Sequence, residues 1–212
     1  MGVLNKFLAR RRAVRYIGDM RIIAGTKRGT KLLSPKGEVS RPIVDRVKES
    51  LFNVLYSYDM PEGRVVADLF SGVGSMGLES LSRDARFVLF VENDAAIEAV
   101  LKRNIEKCGF VKESKVIKAN AFKVGAKVEA EIGKYDLVFV DPPYAKSRDV
   151  GPGSSLAGLM DVLAEQLSDD GLVVVRTEKQ IELFQEYGKF RVLERRVWGT
   201  MAITILRAKR DD

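Results

Sequence analysis

From Arg64 onward, short β-branched apolar runs alternate with segments of helix length, and this rhythm restricts the chain to very few architectures. The runs are 64–70 (RVVADLF), 86–92 (RFVLFVE), 115–119 (KVIKA), 135–141 (YDLVFVD) and 171–177 (GLVVVRT). Helices are predicted over 74–82 and 95–108, from the end of the third run through residue 132, and after a glycine- and serine-containing loop (145–155) as far as Leu167. A strand that returns to its sheet through a helix pairs in parallel, with the helices covering both faces. Two further runs, near 189–197 and 201–207, meet in a tight turn around Gly199 and must pair antiparallel. The expected fold is therefore α/β: a seven-stranded, mostly parallel, doubly wound sheet.

Ahead of this core lies a smaller segment. Residues 21–33 (RIIAGTKRGTKLL) suggest two short strands around a turn at Lys27-Arg28-Gly29. Pro42 then marks a helix start. Over 43–58 the apolar residues Val44, Val47, Leu51, Val54, Leu55 and Tyr58 recur at helical spacing, placing Arg46, Lys48 and Glu49 off the stripe. The expected organisation is a basic extension (1–19) and one domain (20–212), divided into an N-terminal hairpin and helix (20–60) and a catalytic core (61–212).

Composition narrows the chemistry. There is no histidine, which removes Ser-His and Cys-His dyads and the commonest general base. The single cysteine, Cys108, excludes an intrachain disulfide and a paired-cysteine zinc site, so no metal is expected. No run of some 18 apolar residues is present, and no membrane association is expected. The formal charge is +7, and the first fifty residues, with 13 Lys/Arg against 4 Asp/Glu, carry all of the excess. Such asymmetry suits a phosphate backbone as partner. Residues 1–19 are read as an RNA-binding arm, an organellar presequence, or sequence upstream of a natural start at Met20.

The glycine loop Asp68-Leu-Phe-Ser-Gly-Val-Gly-Ser-Met-Gly77 sits where the first strand meets its helix. Gly72 and Gly74 permit a tight turn and close backbone approach to a ligand, and the helix N-terminus adds free N–H groups. Glu92 closes the second strand, where a carboxylate accepts the hydrogens of a ribose diol. Read literally, Gly72-x-Gly74-x-x-Gly77 also matches a dinucleotide fingerprint, so this signal specifies a ribose-bearing cofactor without choosing which. Asp68, at the strand end, is placed to hold a cofactor's ammonium group.

Asp141-Pro142-Pro143-Tyr144 makes that choice. It follows the apolar strand 137–140, at the sheet edge where open α/β sheets bind ligands. Two prolines stiffen the loop and lack N–H groups of their own. An amino group on a base needs two acceptors, and the Asp141 carboxylate and the Pro142 carbonyl supply them. Held so, the nitrogen loses conjugation with its ring and aims its lone pair at a methyl-sulfonium carbon. Tyr144 offers a face for base stacking. A donor already activated as a sulfonium needs positioning more than a strong base, which accords with the absence of histidine. A weaker signal, Asn120-Ala121-Phe122 after the third strand, would read and pack an adenine; Asn120 capping the next helix explains it equally well.

These residues resemble the RsmD-type 16S ribosomal RNA guanine-N2 methyltransferases, within the DPPY class I methyltransferases. The resemblance runs from Met20 to about Leu206 and rests on RIIAGTKRGTKL (21–32), RPIVDRVKESLFN (41–53), DLFSGVGSMGLESLSR (68–83), VEND (91–94), NAF (120–122) and DPPY (141–144). It implies a class I (Rossmann-like) methyltransferase fold with S-adenosylmethionine as donor, leaving S-adenosylhomocysteine. The implied acceptor is a guanine of 16S rRNA or the assembling small subunit, guanine 966 being the family's usual target. Carried over, Asp68, Phe70, Ser71, Gly72, Gly74, Met76 and Gly77 would wrap the methionine part, with Glu92 and Asn93 at the ribose and Asn120, Ala121 and Phe122 at the adenine. Asp141, Pro142, Pro143 and Tyr144 would hold the guanine. Arg41, Asp45 and Arg46 would sit near the mouth and help bind substrate or order the cofactor. Apart from the resemblance, Lys27, Arg28 and Lys31 of the basic patch are expected to bind RNA. A monomer in the cytoplasm, or in an organelle if 1–19 is a presequence, is expected. The chain departs from the family at Ser71 and Val73, and at Arg176, which stands where an acid is frequent. Three other readings remain: an N6-adenine methyltransferase, a nicotinamide oxidoreductase and a non-catalytic assembly factor.

Overall fold

The computed structural model describes residues 20–35, 43–143 and 148–209. Strands β1 (Val65–Leu69), β2 (Phe87–Glu92), β3 (Ser114–Lys118), β4 (Tyr135–Val140), β5 (Leu167–Glu178), β6 (Glu186–Tyr187), β7 (Phe190–Trp198) and β8 (Met201–Ala208) form one sheet in the order β3-β2-β1-β4-β5-β8-β7-β6. The first five pair in parallel and the last three antiparallel, as the connection lengths require. β1 is buried at all five positions. Helices cover it on both sides, so its sequence shows no alternation and is apolar at every position but Asp68.

Helices α1 (Asp45–Tyr56), α2 (Ser75–Ser82) and α3 (Ala95–Cys108) pack on one face. There Phe52 of α1 meets Phe139 of β4 at a ring separation of 6.0 Å. Helices α4 (Ala121–Val124) and α5 (Ser155–Gln166) cover the other face, where Leu156, Leu159 and Leu163 are fully buried. Chain direction around the sheet reverses between β1 and β4. The crevice outside their carboxyl ends is where ligands of such sheets bind.

Several elements differ from expectation. The hairpin over 21–33 folds back on itself through a single bridge, Arg21 to Lys31, in place of two strands. Backbone bonds such as Ile22 N–H to the Thr30 carbonyl and Gly29 N–H to the Ile22 carbonyl close it on itself, and α2 and α3 satisfy others of its backbone groups. The helix expected through residue 132 stops at Val124, because Gly125 at φ +57 ends it and Gln166 of α5 takes up the freed groups at Ala126 N–H and Val124 C=O. A two-residue strand, β6, extends the sheet to eight. Helix α1 begins at Asp45, and Pro42 lies outside the described residues. Lys48, expected off the apolar stripe, is only 1% exposed, while Val44, expected on it, is 41% exposed. A buried partner on α2 decides the first case.

Candidate active site

The carboxyl ends of β1, β2, β4 and β5 bring four charged side chains to one edge: Asp68, Glu92, Asp141 and Arg176. Asp68 is 2% exposed, and its Oδ2 accepts the Gly77 N–H at 2.8 Å, fixing the glycine loop to the first turn of α2. Burial pushes the Asp68 carboxyl up to about 8; the Gly77 bond opposes this, and the charges of Asp141 and Glu92 add to it. A carboxyl so raised is largely protonated near neutral pH, and a nearby cation would favour its charged form. Gly74, the N-cap of α2, has φ +89, which favours glycine. Gly77 has a different requirement, since a Cβ there would stand 2.2 Å from the Phe90 ring. Ser71 and Met76 are buried within the loop.

Glu92 organises the same loop from β2. Its Oε2 accepts the Gly72 N–H at 2.9 Å, and its Oε1 accepts the N–H groups of Asn93 and Asp94, each at 2.8 Å. Asp94 caps α3, accepting from Ala96 and Ile97. After β3, Asn120 caps α4, accepting the Phe122 N–H at 3.1 Å, and Ala121 is buried. Phe122 packs against Phe70 with ring centroids 4.7 Å apart. The glycine loop and the Asn120 turn, well separated in sequence, thus meet through this aromatic pair.

Asp141 follows β4 directly. Arg176 Nε donates to its Oδ1 at 2.7 Å, and a quarter of the aspartate side chain remains exposed. Burial raises the Asp141 carboxyl above its ordinary value, and the Arg176 charge and hydrogen bond oppose that rise. Pro142 is buried and Pro143 exposed. Tyr144 lies outside the described residues.

The described members of the expected substrate set lie along the folded-back segment 21–33, the N-terminal hook, and along α1. Arg28, Lys31 and Arg46 are exposed, and Lys27 is half-buried with its ammonium 5.8 Å from the Phe110 ring centroid. Arg21 pairs with Asp45 at 2.8 Å. Between hook and helix opens a cleft of about 350 Å³ that brings Arg28 and Asp45 together, with Arg21, Glu49, Asn53 and Arg83. No residue of the glycine loop or of 141–143 lines it. Arg41 lies outside the described residues.

What attaches this hook was not legible in the sequence. The buried Glu79 carboxylate accepts the N–H groups of Ile23 (2.8 Å) and Ala24 (3.0 Å) and pairs with Arg83 (2.9 Å) and Lys48 (3.3 Å). Lys48 also donates to the Arg21 carbonyl at 2.7 Å and to Ser75 Oγ at 3.3 Å. Asn104, fully buried on α3, accepts the Leu33 N–H at 2.7 Å and donates to the carbonyls of Leu33 and Val73. The one available signal was polar residues on otherwise apolar helix faces.

This fold, with an antiparallel β8 set beside β5 and a glycine loop at the switch point, is the Rossmann-like methyltransferase fold. It is shared with an RNA methyltransferase from Salinibacter ruber solved with S-adenosyl-L-homocysteine (TM-score 0.58, 16% identity, 81% of this chain and 96% of that one). The model of the family described as Conserved hypothetical protein 95 matches residues 20–207, and the chain belongs to that family. It is 33% identical over 165 residues to the ribosomal RNA small subunit methyltransferase D of Escherichia coli, covering 76% of each chain. The solved structure of yhhF from Escherichia coli superposes with a TM-score of 0.75 at 30% identity, covering 92% of this chain and all of that one. The resemblance to RsmD-type enzymes is borne out.

Proposed function

We propose that the protein transfers a methyl group from S-adenosylmethionine to the exocyclic N2 of a guanine in 16S rRNA during small-subunit maturation. The observation that supports this reading is that Asp141 and Pro142 follow β4 directly at its carboxyl edge, beside a crevice already furnished with Asp68 and Glu92. The donor supplies an activated methyl: its C–S bond breaks as the nitrogen lone pair forms the C–N bond, and the surplus proton then leaves the nitrogen for solvent.

The chain's own residues do the holding. Asp68, buried and near neutral at physiological pH, suits the donor's ammonium. Glu92 receives three backbone N–H groups and, with about four acceptor sites on a carboxylate, keeps about one for a ribose hydroxyl. Phe70 and Phe122 form an apolar wall against which an adenine ring packs. At the acceptor, Asp141 and Pro142 take the two amine hydrogens and turn the lone pair toward the methyl carbon, with Pro143 stiffening the loop and Tyr144 supplying a stacking face. The exposed cations Arg28, Lys31 and Arg46, with Lys27 and Arg41, provide the sequence-independent attraction to RNA phosphates. A cytoplasmic monomer is the working form; among the described residues no helix is long and apolar enough to cross a membrane.

The test is transfer of labelled methyl to unmethylated small-subunit rRNA and to partly assembled subunits, with nucleoside analysis of the product. N2-methylguanosine is the expected product. N6-methyladenosine would replace the acceptor and leave the site intact. In the same assay Asp141→Ala is expected to lower turnover by roughly 10²–10³-fold, the loss typical of removing one preorganised hydrogen-bond partner, with little change in cofactor affinity.

A further inference from the structure

We infer that Arg176 is a positioning residue for the methyl transfer: it grips one carboxylate oxygen of Asp141 and leaves the other aimed at the acceptor amine. The inference rests on the role proposed above for Asp141, and deepens it.

Three observations carry it. The contact is made by Nε to Oδ1 at 2.7 Å, a charge-assisted bond that fixes the rotation of the carboxylate. Its two members differ in access: the Arg176 side chain is 9% exposed and that of Asp141 25%, so the open side of the pair belongs to the aspartate. Finally, Arg176 stands on a rigid support. β5 is paired on one side with β4, Val175 opposite Val140, and on the other with β8, Arg176 itself opposite the buried Ile203. Asp141, by contrast, begins a loop, and its own N–H reaches the Leu69 carbonyl only at 3.5 Å. The strand-borne arginine therefore supplies the order that the loop-borne aspartate lacks.

The pairing also suits the chemistry. The acceptor amine keeps its hydrogens until the nitrogen has taken the methyl group. The group beside it must accept hydrogen bonds without first removing a proton, and a guanidinium-bound carboxylate does that. Among the described residues, the titratable groups around Asp141 are Arg176 on β5 and Asp68 on β1, with Glu92 of β2 beside Asp68. Burial disfavours a negative charge on Asp141, and Arg176 opposes that effect.

Arg176→Met and Arg176→Lys, with Asp141→Asn as reference, are compared in kcat at saturating cofactor across pH, with S-adenosylhomocysteine affinity measured on each. Arg176→Met is expected to lower kcat on the order of 10²-fold, as a misplaced reacting group does. Its acid limb should move to higher pH, because Asp141 without its cation takes up a proton sooner, and S-adenosylhomocysteine affinity should be retained. Arg176→Lys, which keeps the charge and loses the planar side-on donor, should lower kcat with the acid limb near that of the native protein. Native kcat and pH profile in Arg176→Met would overturn the inference. Should Arg176→Met fail to bind S-adenosylhomocysteine, Arg176→Lys decides, and native kcat in that variant overturns the positioning role. Asp141→Asn separates the two readings. If it turns over normally, the role of Asp141 itself is wrong; if it is inactive while both Arg176 variants behave as native, only the present inference fails.

Discussion

Lys48 of α1 and Glu79 of α2 form an ion pair of 3.3 Å in which neither side chain is more than 2% exposed. Glu79 also holds Arg83 and the backbone of Ile23 and Ala24, so one carboxylate joins the hook, α1 and α2. Burial lowers the Lys48 pKa, and the Glu79 charge opposes the shift. Removing one member of such a cluster leaves opposite charge buried without compensation, which costs more than the intact pair contributes.

Glu79→Ala should therefore destabilise the fold by about 3–5 kcal/mol, measured by chemical denaturation. The loss should be accompanied by protease sensitivity within residues 20–35, because two backbone N–H groups of the hook lose their acceptor. Unchanged stability would show that the carboxylate is not what anchors the hook.

Asn104 links that hook to the glycine loop by binding both Leu33 and Val73. In Asn104→Ala each buried group left unpaired costs about 1–3 kcal/mol. Because Val73 lies between Gly72 and Gly74, S-adenosylhomocysteine affinity should fall several-fold together with stability, as read by calorimetric titration. A loss of stability with native affinity would mean that the loop holds its shape without this clamp.

With Asp68 at the proposed ammonium site, cofactor binding is expected to be proton-linked. Its carboxyl, ordinarily near 3.8, is raised to about 8 in the folded protein. Between these values the native state holds a proton that the unfolded chain has lost, so this group's contribution to stability falls as pH rises from 3.8 to about 8 and levels off above. An arriving ammonium favours the carboxylate, so binding near neutral pH should release a proton. Calorimetry in buffers of different ionisation enthalpy measures that release, and Asp68→Asn should abolish it. Binding with no proton exchange in the native protein would remove Asp68 from the ammonium site.

The alternation of apolar runs with helix-length segments was sufficient for the parallel core, because buried parallel strands need continuous apolar sequence and helical crossovers whatever surrounds them. The antiparallel ending was equally legible: the turn around Gly199, at φ +58, is too short for any other connection. Local chemistry also marked the loops of the candidate site, since the positions of Asp68, Gly72, Glu92 and Asp141 follow from strand ends alone. Other features depended on distant partners. Gly125 and Gln166 shortened α4, and the Glu79 carboxylate drew Lys48 inward against the helical pattern. Arg176, an oddity in one dimension, acquired a role when β5 came to lie beside β4 and set its guanidinium 2.7 Å from Asp141. Periodicity and turn chemistry act over a few residues and can be read along the chain. The pairing of buried charges is decided by which strands and helices become neighbours, and only the folded structure brings those together.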